Sequence, residues 1–123
     1  MVPPVHVSIW NDEERGRIYR LEKELIYCGI VVPVWFECDG ASVPRFFWST
    51  VFPPGDEKAL FAAIIHDYLY RTHPVGWTKK LADETFHELL IRGGVSKWRA
   101  YKAYLAVKWF GGSAWNAGGK EQK

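Results

Sequence analysis

The chain has 123 residues, with 16 Lys and Arg against 14 Asp and Glu, for a formal net charge of +2. So small an excess excludes a molecule steered as a whole onto a polyanion, while 48% hydrophobic and 24% charged residues fit one globular domain whose core needs no metal or disulfide staple. The aromatic share, 16% with seven Trp, seven Phe and six Tyr, suits a bulky core with a partner interface, or a platform for sugars or bases.

Val5 to Trp10 alternates apolar and polar residues and predicts a short strand, followed by a charged loop at Asn11 to Glu14. Arg17 to Tyr27 is a second extended stretch punctuated by Gly29, and Ile30 to Glu37 is the strongest strand signal. Pro33 inside it cannot donate to a ladder and implies an edge or a bulge. An antiparallel meander of about three strands is expected. Two cysteines, Cys28 and Cys38, are too few for a metal knuckle. Reduced thiols are expected, with a disulfide as the alternative.

Asp39-Gly40 is a turn signal, and Ser42 with Pro44 has the form of a helix cap with Pro in the first turn, ahead of the aromatic run Phe46 to Trp48. A central helix is expected over residues 56–73, led by Asp56 and Glu57 and stopped by His73-Pro74. Thr78 caps a second helix, Lys79 to Arg92. Ser96 caps a third, ending near Phe110, with Trp98, Tyr101, Leu105 and Trp109 as its apolar stripe. Residues 113–123 read as a flexible Gly-rich tail with Trp115 as an anchor, after a single α+β domain over 1–112. The first six residues lack a secretion signal, and the longest apolar run, Ala59 to Ile65, is too short for a bilayer. Residence in the cytoplasm is expected unless a larger assembly carries the chain out.

The central helix sets the functional question, because it carries His66 and Asp67 amid apolar residues. On a helix wheel Asp67 falls between Leu60 and Ala63, and His66 near Ala59 and Ala62 with Tyr70 one turn on. Burying a bare carboxylate costs several kcal/mol, so donors, a cation, a metal or a cleft must compensate. Asp83, at the border of the second helix's packing face, is the next candidate, and Asp39 from the loop a third. One His with these carboxylates makes a hard ligand set for a divalent cation, Asp67, Asp83 and Asp39, or a general base with an orienting acid, His66 with Asp67 and Asp83. The alternative is structural: hydrogen bonds to backbone or Tyr hydroxyls, with Asp83 paired to Lys79 or His87. Ser42 lacks the Gly-x-Ser-x-Gly elbow of a nucleophile, and the turn-and-cap reading accounts for it. Lys97, Arg99, Lys102 and Lys108 make no single basic stripe, so no nucleic-acid partner is expected.

The order Asp39-Gly40-Ala41-Ser42-Val43-Pro44, His66-Asp67-Tyr68-Leu69-Tyr70, Ala82-Asp83-Glu84-Thr85-Phe86 and Tyr101 to Gly111 resembles the bacteriophage and prophage family catalogued as domain of unknown function 1353. The resemblance covers roughly residues 30–112. It implies a phage origin and a motif set at Asp39, Ser42, Pro44, His66, Asp67, Tyr70 and Asp83, and supplies no activity. His66 to Tyr70 is also similar to the helix of secreted phospholipases A2, where a His activates water beside a calcium-binding Asp. That family's disulfides and Gly-rich calcium loop are missing here.

Two function classes follow. One is a small phage-encoded hydrolase in which His66, Asp67 and Asp83, with Asp39 at the rim, activate water on an envelope lipid or peptidoglycan, with a divalent metal. The other is a non-catalytic virion component of tail, tail tip or baseplate, or an assembly factor, whose polar cluster serves the fold. Expected partners are other phage proteins or the envelope substrate, and an oligomer is left open.

Overall fold

A computed structural model describes residues 4–14, 16–39 and 58–119, which fall into a sheet unit ending at Asp39 and a helical unit from Lys58 onward. The order is α+β: a small antiparallel sheet first, three main helices after it.

The sheet unit holds β1 (Val7–Asp12), β2 (Gly16–Leu21), β3 (Leu25–Tyr27), β4 (Ile30–Val32) and β5 (Glu37–Cys38). β1 runs further than its alternation suggests, because Asn11 and Asp12 stay in the ladder opposite Arg17 and Gly16. The turn after it is fastened by Asp12, whose carboxylate accepts from the Glu14 amide at 2.8 Å.

Instead of one meander, the strands form a three-stranded sheet in the order β1-β2-β5 and a separate β3-β4 hairpin. Pro33 is the cause at one end, since β4 stops beside it. The chain then turns through Trp35, at φ 75°, and comes back to β2: the Trp35 amide donates to the Leu21 carbonyl and the Leu21 amide to the Phe36 carbonyl, at 2.8 and 2.9 Å. Arg20 and Glu37 face each other across β2 and β5 and form an ion pair at 2.9 Å.

The β3-β4 hairpin is closed by Cys28 and Gly29, with φ of 47° and 80°. Positive φ at both positions gives the turn the twist of the flanking strands. Leu25 opposite Val32 is buried, whereas Ile26 and Val31 face out. Neither cysteine forms a disulfide, Cys28 being exposed and Cys38 buried.

The helical unit consists of α1 (Leu60–Thr72), α2 (Lys79–Arg92), α3 (Lys97–Phe110) and the short α4 (Gly112–Ala117). α2 and α3 keep the expected bounds, capped by the Thr78 and Ser96 hydroxyls, which accept from the Leu81 and Arg99 amides. Asp56 and Glu57 lie outside the described residues, and α1 begins after a turn at Lys58 and Ala59. Ten of its 13 residues are buried, so α1 is the core element of its unit. α2 packs on α1 and on α3, and α4 packs on α1 and α3. Among the described residues no helix is long and apolar enough to cross a membrane.

Two expectations change here. The stripe Trp98, Tyr101, Leu105, Trp109 is not the packing face of α3: Ala100, Ala103, Ala106 and Val107 are buried, and Trp98, Tyr101 and Trp109 are exposed. Small residues let the helix axes approach closely, and the large rings are left outside.

The segment after Ser113, expected as a flexible tail, is helical to Ala117. Trp115 explains this, since its ring stacks on His73 at 3.6 Å and meets Tyr70 edge-on at 5.2 Å. Beyond it the Gly119 amide donates to the Arg71 carbonyl at 2.7 Å, and any Cβ at Gly118 would collide with the Tyr70 carbonyl. The C-terminal segment therefore closes over the end of α1, where His73, at φ 44°, donates its amide to the Leu69 carbonyl.

Candidate functional site

Three polar side chains of the helical unit converge on one carboxylate. His66 and Tyr70, one turn apart on α1, point toward α2, and Asp83 on α2 points back. Asp83 Oδ1 accepts from Tyr70 Oη at 2.6 Å and lies 2.9 Å from His66 Nε2. Asp83 Oδ2 accepts from Lys79 Nζ at 2.8 Å. An ionised carboxylate only accepts, so the imidazole proton on this side sits on Nε2.

Lys79 continues the network into α3. Its ammonium also donates to the carbonyls of Val107 and Lys108, at 2.9 and 3.2 Å. Those carbonyls belong to the last turn of α3, the negative end of its dipole, where a cation is favourable. One carboxylate and one ammonium thus tie three helices together.

Around these bonds the packing is tight. The His66 ring lies between Tyr70 and Phe86, with centroids at 4.2 and 4.4 Å, and is 0% exposed. Gly111 leaves room for the Tyr70 hydroxyl, which a Cβ there would approach to 2.7 Å. On the solvent side a depression of about 230 Å³ is lined by Lys79, Lys80, Asp83, Tyr104 and Lys108. Lys79 holds the outward oxygen of Asp83, and only 3% of that side chain reaches solvent.

The electrostatics follow from this enclosure. Burial by itself raises the Asp83 pKa, but the hydrogen bonds from His66, Lys79 and Tyr70, together with attraction to His66, outweigh it and hold the carboxyl below its usual range. Burial first, and then the bond to Asp83 and its negative charge, push the Tyr70 hydroxyl far above its usual range. Both groups are driven away from neutrality: Asp83 remains an acceptor and Tyr70 a donor. A general acid or base needs the opposite tuning, toward the working pH.

The structure thus gathers His66, Tyr70 and Asp83. Asp67, buried on the same helix, has Arg71 at 3.9 Å, an i,i+4 pair. Asp39 lies half-buried at the end of the sheet unit, and Ser42 and Pro44 lie outside the described residues. Among the described residues no three His, Cys, Asp or Glu side chains are grouped to hold a metal.

Of the two partners considered for Asp83, the structure selects Lys79. His87 stacks on Tyr104 at 5.1 Å instead. Phe86, Gly111 and the α3 carbonyls are contributors that single-residue chemistry did not single out. Lys79 alone had a local signal, its position four residues before Asp83.

A family model described as "Protein of unknown function (DUF1353)" matches residues 18–107, from β2 into the last turn of α3. A Sinorhizobium fredii protein named uncharacterized protein y4jT is 35% identical over 80 residues, which make up 65% of this chain and 23% of that protein. The chain thus spans under a quarter of that relative's length. No solved structure matches the chain. The family match takes in His66, Asp67, Tyr70, Lys79 and Asp83 together, and on it the chain belongs to the family described as protein of unknown function (DUF1353).

Proposed function

We propose that this chain is a non-catalytic phage or prophage component, of virion or assembly, and that its His/Asp/Tyr/Lys cluster serves the fold. The observation that carries the reading is the closed hub: both Asp83 oxygens are filled from within the helical unit, and His66 has no exposed surface. Hydrolysis of an envelope lipid or peptidoglycan by the same residues would need water at His66 and a carboxylate free for a metal. Here Lys79 already occupies the outward oxygen of Asp83.

The phage assignment rests on the resemblance of the motif order to phage and prophage proteins. A role as a module is supported by the relative y4jT, where the similar stretch is 23% of a longer protein. The test is thermal unfolding of the wild type and Asp83→Asn with and without Ca²⁺, Mg²⁺, Mn²⁺ or Zn²⁺. A ligand that binds only the native state raises the midpoint. The expected result is no shift with any metal and a lower midpoint for Asp83→Asn. A metal that raises the wild-type midpoint and leaves the variant unmoved would replace this reading with an ion site and revive the hydrolase.

A further inference from the structure

The outward face of α3 is large, aromatic and cationic. Trp98, Tyr101, Leu105 and Trp109 stand at i, i+3, i+7 and i+11, one ridge roughly 16 Å long. Trp98 is 68% exposed and Trp109 65%. Over Lys97–Phe110 the helix carries Lys97, Arg99, Lys102 and Lys108 and no acidic residue. These cations form no stripe of their own. Instead Lys102 Nζ lies 5.6 Å from the Trp98 ring and Lys108 Nζ 5.8 Å from the Tyr104 ring, flanking the ridge. On the neighbouring α2 the exposed Glu88 is already paired with Arg92 at 2.8 Å.

We propose that this ridge docks on an anionic lipid surface, with α3 lying flat in the headgroup layer. An indole has an apolar body and one N–H, which suits the boundary between acyl chains and headgroups. Lysines beside the rings run their stems along the apolar layer and present ammonium groups to phosphates. The charge pattern selects this occupant. A second copy would set Lys102 and Lys108 of one ridge against the same pair of the other, and a convex ridge of large rings gives a protein partner little to interlock with. Lipid moulds to a ridge. The inference goes beyond the proposed function, since it uses none of the side chains that bond Asp83.

The test is co-sedimentation of the full chain with vesicles of phosphatidylglycerol and phosphatidylcholine in equal parts, against phosphatidylcholine alone. Binding to the anionic vesicles is expected to be at least about tenfold tighter. Trp98→Ser with Trp109→Ser is expected to weaken it by at least about tenfold. Lys102→Gln with Lys108→Gln should weaken it about 25-fold, at roughly fivefold per lysine near an anionic surface. The two Trp positions are exposed, so circular dichroism and urea midpoints should match the wild type.

The proposal is overturned by a chain that sediments with neither vesicle, or by variants that bind as the wild type does. It is equally overturned if light scattering shows a dimer that the Trp variants dissociate, or if the face retains single-stranded DNA or an acidic protein in place of vesicles.

Discussion

Asp83→Asn removes one charge and almost no volume, so it isolates what the carboxylate contributes. In the native chain its two oxygens serve three side-chain donors, His66, Tyr70 and Lys79. Asn offers one acceptor oxygen and one NH₂ group. If the oxygen remains with His66 and Tyr70, the NH₂ group faces the Lys79 ammonium, donor against donor. Two charge-assisted bonds falling to neutral ones cost about 1 kcal/mol each. The Lys79 pair is discounted to about 1 kcal/mol, because the lysine side chain is 24% exposed and retains two carbonyl partners.

The sum is about 3 kcal/mol, at the lower end of what breaking a buried pair costs. Urea unfolding followed by circular dichroism measures it. With a slope of about 2 kcal/mol per molar, the midpoint should fall by about 1.5 M. A midpoint within about 0.3 M of the wild type at unchanged slope would refute the idea that this carboxylate holds the three helices together.

Four further outcomes are expected. The folded Asp83 pKa lies below the usual 3.8, because bonds from His66, Lys79 and Tyr70 outweigh the upward effect of burial. Its stabilisation is therefore present above pH 3.8 and lost as pH falls through the lower folded value, so acid titration of Asp83→Asn should show a shallower decline there. Burial and Asp83 raise Tyr70 above its usual 10.0, so its contribution is present below pH 10 and lost as pH rises beyond it; Tyr70→Phe should lack that alkaline decline. Gly111→Ala should cost about 2 kcal/mol in urea unfolding, since its Cβ would press on the Val107 carbonyl and on the Tyr70 hydroxyl, and less in a Tyr70→Phe background, where the second contact is relieved. Cys28→Asn should stabilise by about 0.5–1 kcal/mol, because Cys28 is exposed at φ 47° before Gly29 and Asn-Gly suits that turn. A lower midpoint for this variant would show that the Cys28 thiol has a role the turn geometry does not account for.

Local physics was legible along the chain wherever it had no competitor. Thr78 and Ser96 stand before runs of helix formers and Gly93 and Gly111 after them, so the bounds of α2 and α3 follow from capping alone. The burial of His66, Asp67 and Asp83 was also legible, because their places on the wheel lie among residues that must pack.

The sheet was less so. A strand pattern shows which residues are extended, but pairing depends on a return path, and the positive-φ turn at Trp35 sends β5 to β2 rather than β4. The face of α3 misled for a related reason: periodicity marks where the large apolar residues lie, while close helix packing selected the alanines opposite them. The partner of Asp83 was equally beyond a one-dimensional reading. His87, Lys79, a metal or a cleft all satisfy the demand that a buried carboxylate be compensated. What chose Lys79 was the end of α3, whose carbonyls hold the ammonium over Asp83 from the far side. Sequence alone determined which groups had to be satisfied, because burial and charge are properties of a residue and its helix face. Only the tertiary structure decided what satisfies them, because hydrogen bonds depend on where another helix happens to end.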